Sequence, residues 1–245
     1  MKNIKLRKIE EDDENFLEII ITEGNELFKY LTITSYDCLK IPSNICKINK
    51  CIFNVKDDEI SIIKKAHEDA GLSEEDYDYF MEMIYQLQFE EVYIPKTVTE
   101  ICEAAFVFAG IEKFKVDKEN TSFVYKNGLL YDKRKKVLLA CSGEVKEKLR
   151  IPKFIRRIGE NAFSSIDCCD EITLDISEGV EEIGPDALDC AFDISSIYLP
   201  RSIKNIGQRA FGYGDGEYPK IYVYENSYAH KYVMENNIEY ILRED

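Results

Sequence analysis

Residues 151–163 read Ile-Pro-Lys-Phe-Ile-Arg-Arg-Ile-Gly-Glu-Asn-Ala-Phe, in which apolar residues recur at fixed spacings. The run begins with an aliphatic residue that is usually followed by Pro, continues with two more aliphatic residues and ends with a small-plus-large apolar pair. The same spacing begins again at Ile41, Ile94, Ile176 and Leu199. Such self-similarity predicts a repeat protein, in which each unit packs mainly against its neighbours.

Each position of the repeat has a structural explanation. Residues before the Pro alternate between apolar and polar, as in Val92-Tyr93-Ile94, and this alternation predicts one short, half-buried strand per repeat. Pro ends the strand because it lacks a backbone donor. The Gly at 159, 184 and 207, just after an Ile, suits a tight corner and would permit a positive φ there.

The residues that close the repeats predict a stacked apolar spine between neighbouring coils. They are Phe53, Phe106, Phe163, Leu188 and Phe211. Because every coil returns the chain in the same direction, we expect one parallel sheet rather than hairpins. Its strands are expected at residues 39–41, 92–94, 114–116, 149–151, 174–176, 197–199 and 221–223.

The repeats resemble those of the BspA-like leucine-rich repeat family, which is found in many bacterial surface and secreted proteins. The resemblance covers residues 39–224 and includes Cys168, at the position where the family has a Cys. It implies an α/β repeat solenoid, a right-handed leucine-rich-repeat coil with a parallel concave β-sheet. It also implies a hairpin insertion at 118–147, where Asn127-Gly128 is a hairpin turn signal, and a C-terminal cap at 225–245 with Ser227 as the helix N-cap.

Two segments depart from the family pattern. Ile41 and Ile94 are 53 residues apart, whereas successive later repeats are 25 and 23 residues apart. The apolar spacing in the additional residues predicts a helical pair at 57–88, whose first helix stops at Gly71. Residues 1–38 hold two strand-like stretches, and they are expected to form an N-terminal capping hairpin over the edge of the first coil.

The composition excludes some partners and favours others. The chain has 47 acidic and 32 basic residues, a formal net charge of −15 and a pI near 4.7, so it should repel nucleic acid and anionic membranes. No apolar run approaches the roughly 20 residues of a membrane span, and the first residues lack an apolar signal region. We expect a cytoplasmic protein as the sequence stands, or a secreted or surface protein if an upstream signal was removed.

The eight cysteines do not predict a metal site. Cys168, Cys169 and Cys190 are the nearest to a cluster, but no C-x₂-C pair exists, and only His67 and His230 could add imidazole. Core thiols in a reduced interior are the preferred interpretation. The sequence does not define any redox role.

Candidates for catalysis are equally weak. A catalytic site would need His67 or His230 beside a carboxylate and a Cys or Ser, and both histidines are expected to be solvated helix residues. The run 212–216 lacks the Lys-Ser/Thr of a phosphate loop, and residues 117–120 lack the spacing of a calcium loop. We therefore expect no enzymatic activity and no cofactor.

Strand alternation predicts a binding surface on the concave sheet. Residues two and four before each Pro position should face solvent, giving two columns with six Lys or Arg, Asp175 and Glu91, a formal charge of plus four. The same alternation exposes Cys38. The predicted partner-binding residues are Lys40, Tyr93, Lys115, Arg150, Tyr198, Tyr222, Lys113, Lys148 and Lys220.

These residues predict a non-enzymatic scaffold for protein–protein interaction. Tyr and Arg are favoured interface residues, and the positive charge fits an acidic protein or a glycan. An adhesin-like host-binding protein is the alternative function. Lys and Tyr also occur on strand faces that merely resist aggregation, so the structural interpretation stays open as well. The sequence carries no signal for an oligomeric state.

Overall fold

The segments that precede each repeat's Pro position form parallel strands in a computed structural model of the chain. We call these the front strands, and the side that they turn to solvent the front face. They are β4 (Tyr36–Lys40), β6 (Leu87–Ile94), β8 (Ala109–Val116), β12 (Lys148–Ile151), β14 (Ile172–Ile176), β16 (Ile194–Tyr198) and β18 (Lys220–Tyr224). The structure describes residues 3–11, 14–31, 36–54, 57–69, 71, 73–74, 77–78, 81, 87–164, 171–189, 191, 193–212 and 219–244.

The front strands form two sheets, so the prediction of one continuous sheet is wrong. Strands β4, β6 and β8 form a three-stranded parallel sheet, and β12, β14, β16 and β18 belong to a five-stranded one. The chain between β8 and β12 forms an antiparallel meander of β9 (Phe123–Lys126), β10 (Leu129–Asp132) and β11 (Val137–Cys141). This insertion separates the two sheets.

A second column of short strands forms at the Ile that comes just before each corner. These back strands have two residues each, and the Ile side chains stack because the strands are parallel and in register. They are β5 (Lys47–Ile48), β7 (Glu100–Ile101), β13 (Arg157–Ile158), β15 (Glu182–Ile183) and β17 (Asn205–Ile206). The insertion joins this column, since Leu138 of β11 pairs with Ile158 of β13.

Strands β10 and β11 lie between two apolar cores. One core packs beneath the three-stranded front sheet and includes Leu130 and Leu139, while the other packs beneath the five-stranded sheet and includes Leu129 and Leu138. Alternate side chains of a strand point to opposite faces, so each strand of the insertion contributes to both cores. The predicted spine is divided at the same place, with Phe53 and Phe106 in one core and Phe163, Leu188 and Phe211 in the other.

The corner glycines permit close backbone contact rather than a positive φ. None of Gly159, Gly184 and Gly207 has a positive φ; instead, a Cβ on each would lie 2.4 to 2.8 Å from the nearest backbone atom of the preceding segment. The positive φ falls two residues later, on the residue before the small apolar position. Those residues are Cys51, Ala104, Asn161, Asp186 and Arg209.

The N-terminal residues form an antiparallel meander of β1 (Asn3–Glu11), β2 (Glu14–Glu23) and β3 (Glu26–Leu31). The strand-like stretches found in the sequence correspond to β2 and β3, and β1 was missed. Strand β3 continues the back column, because Leu27 pairs with Ile48 of β5. The buried Lys29 ties this segment to the first coil by donating from Nζ to the carbonyl oxygens of Cys51 and Asn54, at 3.1 and 2.5 Å.

The insertion after the first coil contains helix α1 (Asp57–Asp69), which ends where Gly71 takes a φ of +73°. Ile63 is buried, whereas Ile60 is exposed. Most of the predicted second helix lies outside the described residues. Strand β6 begins at Leu87, so the insertion is shorter than the predicted range 57–88.

The C-terminal residues form helix α2 (Tyr228–Glu235) and strand β19 (Tyr240–Arg243). The predicted N-cap is confirmed, because the Ser227 Oγ accepts a hydrogen bond from the His230 N–H at 3.0 Å. Ala229 and Val233 are buried, but Tyr228 is exposed. Strand β19, which the sequence analysis missed, extends the five-stranded front sheet by pairing in parallel with β18.

An ion pair between Arg157 and Glu103 connects the coils before the insertion to those after it. The Arg157 guanidinium donates to both carboxylate oxygens of Glu103, at 3.1 and 3.2 Å, and to Glu182 at 2.6 Å. Burial alone would raise the pKa of Glu103, but the hydrogen bonds from Arg157 and from the Glu160 N–H outweigh it and hold that pKa below its usual range. Glu103 is therefore ionised at neutral pH and forms an ion pair with Arg157, on the other side of the insertion in sequence.

The depressed pKa of Glu103 predicts a pH-dependent contribution to stability. We expect Glu103→Gln to lower the free energy of unfolding by about 1–2 kcal/mol at pH 7. A carboxylate whose folded pKa is depressed stabilises the fold above its unfolded pKa of about 4.3, and this stabilisation is lost as pH falls through the folded value. Urea denaturation of both proteins between pH 7 and pH 3 should show the difference shrinking at the acidic end.

The matched control for this test is Glu119→Gln. Glu119 pairs with Lys96 at 2.8 Å, but both side chains are more than half exposed, so we expect a change below about 0.5 kcal/mol. A Glu103→Gln effect that is equal to the control, or that is independent of pH, would contradict the assignment.

Candidate functional site

The two predicted columns are aligned by the strand register within each front sheet. On the three-stranded sheet Tyr93 pairs with both Lys40 and Lys115, and Glu91 pairs with both Cys38 and Lys113. On the five-stranded sheet the columns run Arg150, Asp175, Tyr198, Tyr222 and Lys148, Thr173, Ser196, Lys220. The front face is therefore two patches rather than one surface.

The first patch has its own internal contacts. The Tyr93 hydroxyl donates to Asp117 Oδ2 at 2.5 Å, and this hydrogen bond raises the pKa of Tyr93 and lowers that of Asp117. Glu91 pairs with Lys115 at 3.5 Å and accepts a 3.4 Å hydrogen bond from Cys38 Sγ. Cys38 is half-buried rather than exposed, and burial, with this contact to Glu91, raises the pKa of its thiol. A raised pKa disfavours the thiolate, which is the nucleophilic form of Cys.

The second patch contains an aromatic and cationic cluster. The rings of Tyr198 and Tyr222 are stacked with centroids 4.3 Å apart and planes 4° apart. Arg243 lies over the rings of Tyr198 and Tyr224, at 5.3 and 4.4 Å from their centroids, and Arg201 lies over the Tyr224 ring at 4.2 Å. Such contacts fix the Tyr and Arg side chains before any partner arrives.

The repeat pattern of the sequence does not predict Arg201, Tyr224 and Arg243 as residues of the front face. Arg243 belongs to β19, which follows a helix and carries no repeat signature, so no repeat spacing could locate it. Tyr224 pairs with Arg243 in the ladder between β18 and β19, so both side chains lie on the front face.

The charges of the front face are only partly neutralised. Arg150 pairs with Asp175 at 3.1 Å and Lys115 pairs with Glu91. In the part of the chain that the structure describes, the remaining predicted lysines form no ion pair. They are Lys40, Lys113, Lys148 and Lys220.

Two depressions adjoin β12. One of about 340 Å³ is lined by residues of the second patch, and one of about 490 Å³ lies on the side toward the insertion. Both are lined by Lys148, Leu149 and Arg150. The smaller adds Thr173, Asp175, Tyr198 and Arg243, and the larger adds Asn127, Glu144 and Lys146.

The two histidines considered for catalysis lie in helices α1 and α2. His67 is buried against Tyr77 at 5.5 Å, so the expectation of a solvated histidine is wrong there, while His230 accepts a hydrogen bond from the Asn226 N–H at 3.1 Å. No cluster of metal-ligating side chains occurs within the described ranges. Cys168, Cys169, Cys190 and residues 213–216 lie outside those ranges, and the described cysteines are free thiols.

Comparison with known proteins identifies the repeats. The family model for the BspA-type leucine-rich repeat region matches six copies, over residues 14–128 and 140–241. Among curated proteins no match was found. In the described part of the chain, no helix has the length and apolar character to cross a membrane.

Two solved structures are similar to the chain. A leucine-rich repeat protein from Eubacterium ventriosum shares 21% identity, with a TM-score of 0.44, and the match covers 71% of this chain but only 39% of that protein's length. The pneumococcal vaccine antigen PcpA shares 14% identity over 98% of this chain and 99% of its own, also with a TM-score of 0.44. The family match spans most of the sequence, including the repeats that form the front and back strands, and the chain therefore belongs to the BspA-type leucine-rich repeat family.

Proposed function

We propose that the front face binds a protein partner and that the solenoid serves as a non-enzymatic scaffold. The observation that carries this proposal is the set of front-face lysines without an ion pair among the described residues, on a chain whose formal net charge is −15. A chain rich in carboxylates could neutralise these lysines internally, yet most of its carboxylates lie elsewhere. Charge complementarity then favours an acidic partner.

The aromatic cluster supports the same proposal. Tyr198 and Tyr222 are half-exposed and held by stacking, and Arg243 is held by Tyr198, by Tyr224 and by a 3.0 Å hydrogen bond to the Leu199 carbonyl oxygen. Preorganised Tyr and Arg side chains lose little conformational entropy on binding. They are suitable anchors at the centre of an interface, with the lysines around them.

The test uses charge reversal at lysines that have no internal role. We expect the triple variant Lys113→Glu, Lys148→Glu and Lys220→Glu to fold normally and to lose most of its capacity to retain a partner from the source organism. Lysate and culture medium are both used, so that the two predicted locations are covered. Retained proteins are compared with those that the wild type retains.

The control variant carries the same charge change away from the front face, at Lys135, Lys153 and Lys231, which are exposed. It should retain the partner as the wild type does. Equal retention by the front-face variant, or equal loss by the control, would overturn the proposal.

A further inference from the structure

The outer edge of β12 is an unpaired strand edge in the middle of the solenoid. Among the described residues β12 pairs only with β14. The Thr173 N–H donates to the Glu147 carbonyl oxygen at 2.7 Å. The backbone N–H and C=O groups of the odd-numbered residues of β12 therefore point toward β14. Bonding groups alternate along a parallel ladder, so the N–H and C=O groups of Lys148 and Arg150 point away from the sheet.

The outer edge of β8, the last strand of the other front sheet, is already hydrogen-bonded. Strand β8 ends the three-stranded sheet, and the N–H groups of Gly143 and Glu144 donate to its carbonyl oxygens at Ile111 and Glu112, at 2.8 and 2.9 Å. The chain thus covers the edge of β8 as it leaves the insertion. In the described ranges no comparable backbone hydrogen bond reaches Lys148 or Arg150.

Space and charge beside the edge specify the occupant. The 490 Å³ depression lies between β12 and the wall formed by Asn127, Glu144 and Lys146. Glu144 already accepts a hydrogen bond from the Tyr125 hydroxyl at 2.7 Å, whereas the described contacts give no ion pair to Lys146 or Lys148. An extended chain with carboxylates on alternate side chains would satisfy both the backbone groups and the lysines.

We propose that this edge binds an extended acidic peptide segment of a partner protein, which adds a strand to the five-stranded front sheet beside β12. The proposal rests on the front face being the binding surface and names how it recognises its partner. Lys148 and Arg150 each offer one N–H and one C=O, so main-chain hydrogen bonds hold the peptide and the cations select its sequence.

The test uses the hexapeptide Glu-Val-Glu-Val-Glu-Val with a fluorescent label, the same peptide with alternate amides N-methylated in both registers, and a Lys-Val counterpart. We expect the full chain to bind the first peptide, and to bind one N-methylated form about tenfold more weakly because its methyl groups replace the two N–H groups that face β12. The other N-methylated form, whose methyl groups face away from β12, should bind like the first peptide, and the Lys-Val peptide should not bind. Amide exchange should slow at Lys148 and Arg150 when the first peptide binds.

Lys146→Glu with Lys148→Glu should abolish this binding, and Lys135→Glu with Lys231→Glu, at exposed positions away from β12, should preserve it. Equal affinity for the two N-methylated peptides, unchanged exchange at Lys148 and Arg150, or no binding of the acidic peptide would each overturn the proposal. Binding of a sulfated oligosaccharide in its place would also overturn it. If the Lys113, Lys148 and Lys220 variant still loses its partner while the peptide test fails, the front face remains the binding surface and only strand addition is rejected.

Discussion

Replacement of Phe163 by Ala is expected to lower the free energy of unfolding by about 3–5 kcal/mol, as for other large-to-small changes in a packed interior. The Phe163 side chain is completely buried in the core beneath the five-stranded sheet. Its N–H donates to the Ala187 carbonyl oxygen of the next coil at 3.0 Å, so the residue lies where two coils meet. Urea denaturation of the wild type and the variant measures the loss.

Phe154→Ala is the matched control, because it removes the same atoms from an exposed position. Phe154 is 43% exposed and meets the edge of Tyr131, so a loss below about 1 kcal/mol is expected. Because neighbouring repeats stabilise one another, amide exchange in the Phe163 variant should accelerate in β14 and β16 as well as locally. A denaturation midpoint within error of the wild type would reject the stacked-spine interpretation.

The sequence predicted the strand positions and the two columns because a repeat imposes its period on every coil. Once Ile151 and Ile176 occupy equivalent positions, the register of Arg150 with Asp175 follows, and the structure has it. The spacing of the repeats does not predict how the strands of an insertion pack against the front sheets. It therefore could not show that the front sheet stops at β8 and begins again at β12.

A signal for that interruption was present in the local sequence. Residues 137–141 read Val-Leu-Leu-Ala-Cys, and every residue of β11 is buried. Continuous apolar strands are typical of strands covered on both faces. This run indicates a strand between two cores rather than a surface hairpin. A strand in that place interrupts the stack of coils, and the front face is then divided into two patches.

The corner glycines show a different limit of sequence reasoning. A Gly can be required by a positive φ or by the close approach of another backbone, and composition does not separate the two causes. In this chain the positive φ falls on Asn161 and Asp186, residue types that tolerate it, while Gly159 and Gly184 permit contact between coils.

Gly207→Ala is expected to cost about 3 kcal/mol or more, at or above the upper end of the range for overpacking. A Cβ at this position would lie 2.4 Å from the Pro185 nitrogen and 2.6 Å from the Gly184 carbonyl carbon, both backbone atoms. No side chain can rotate to relieve these contacts, so the coils must separate. The Gly207 N–H donates to the Ile183 carbonyl oxygen at 2.8 Å, and that hydrogen bond would lengthen as the back strands move apart.

Gly24→Ala is the control that distinguishes a steric clash between coils from strain at a positive φ. Gly24 has a φ of +56° and nothing within 4 Å of a Cβ position, so Ala there should cost only the left-handed strain of about 1–2 kcal/mol. Gly207 lacks a positive φ, and Ala would by itself reduce the entropy of the unfolded chain in favour of folding by about 0.4–1 kcal/mol. Thermal and urea denaturation of both variants should therefore give the larger loss at Gly207. The reverse order would mean that the coils yield to an added methyl group, and that close backbone contact does not set their spacing.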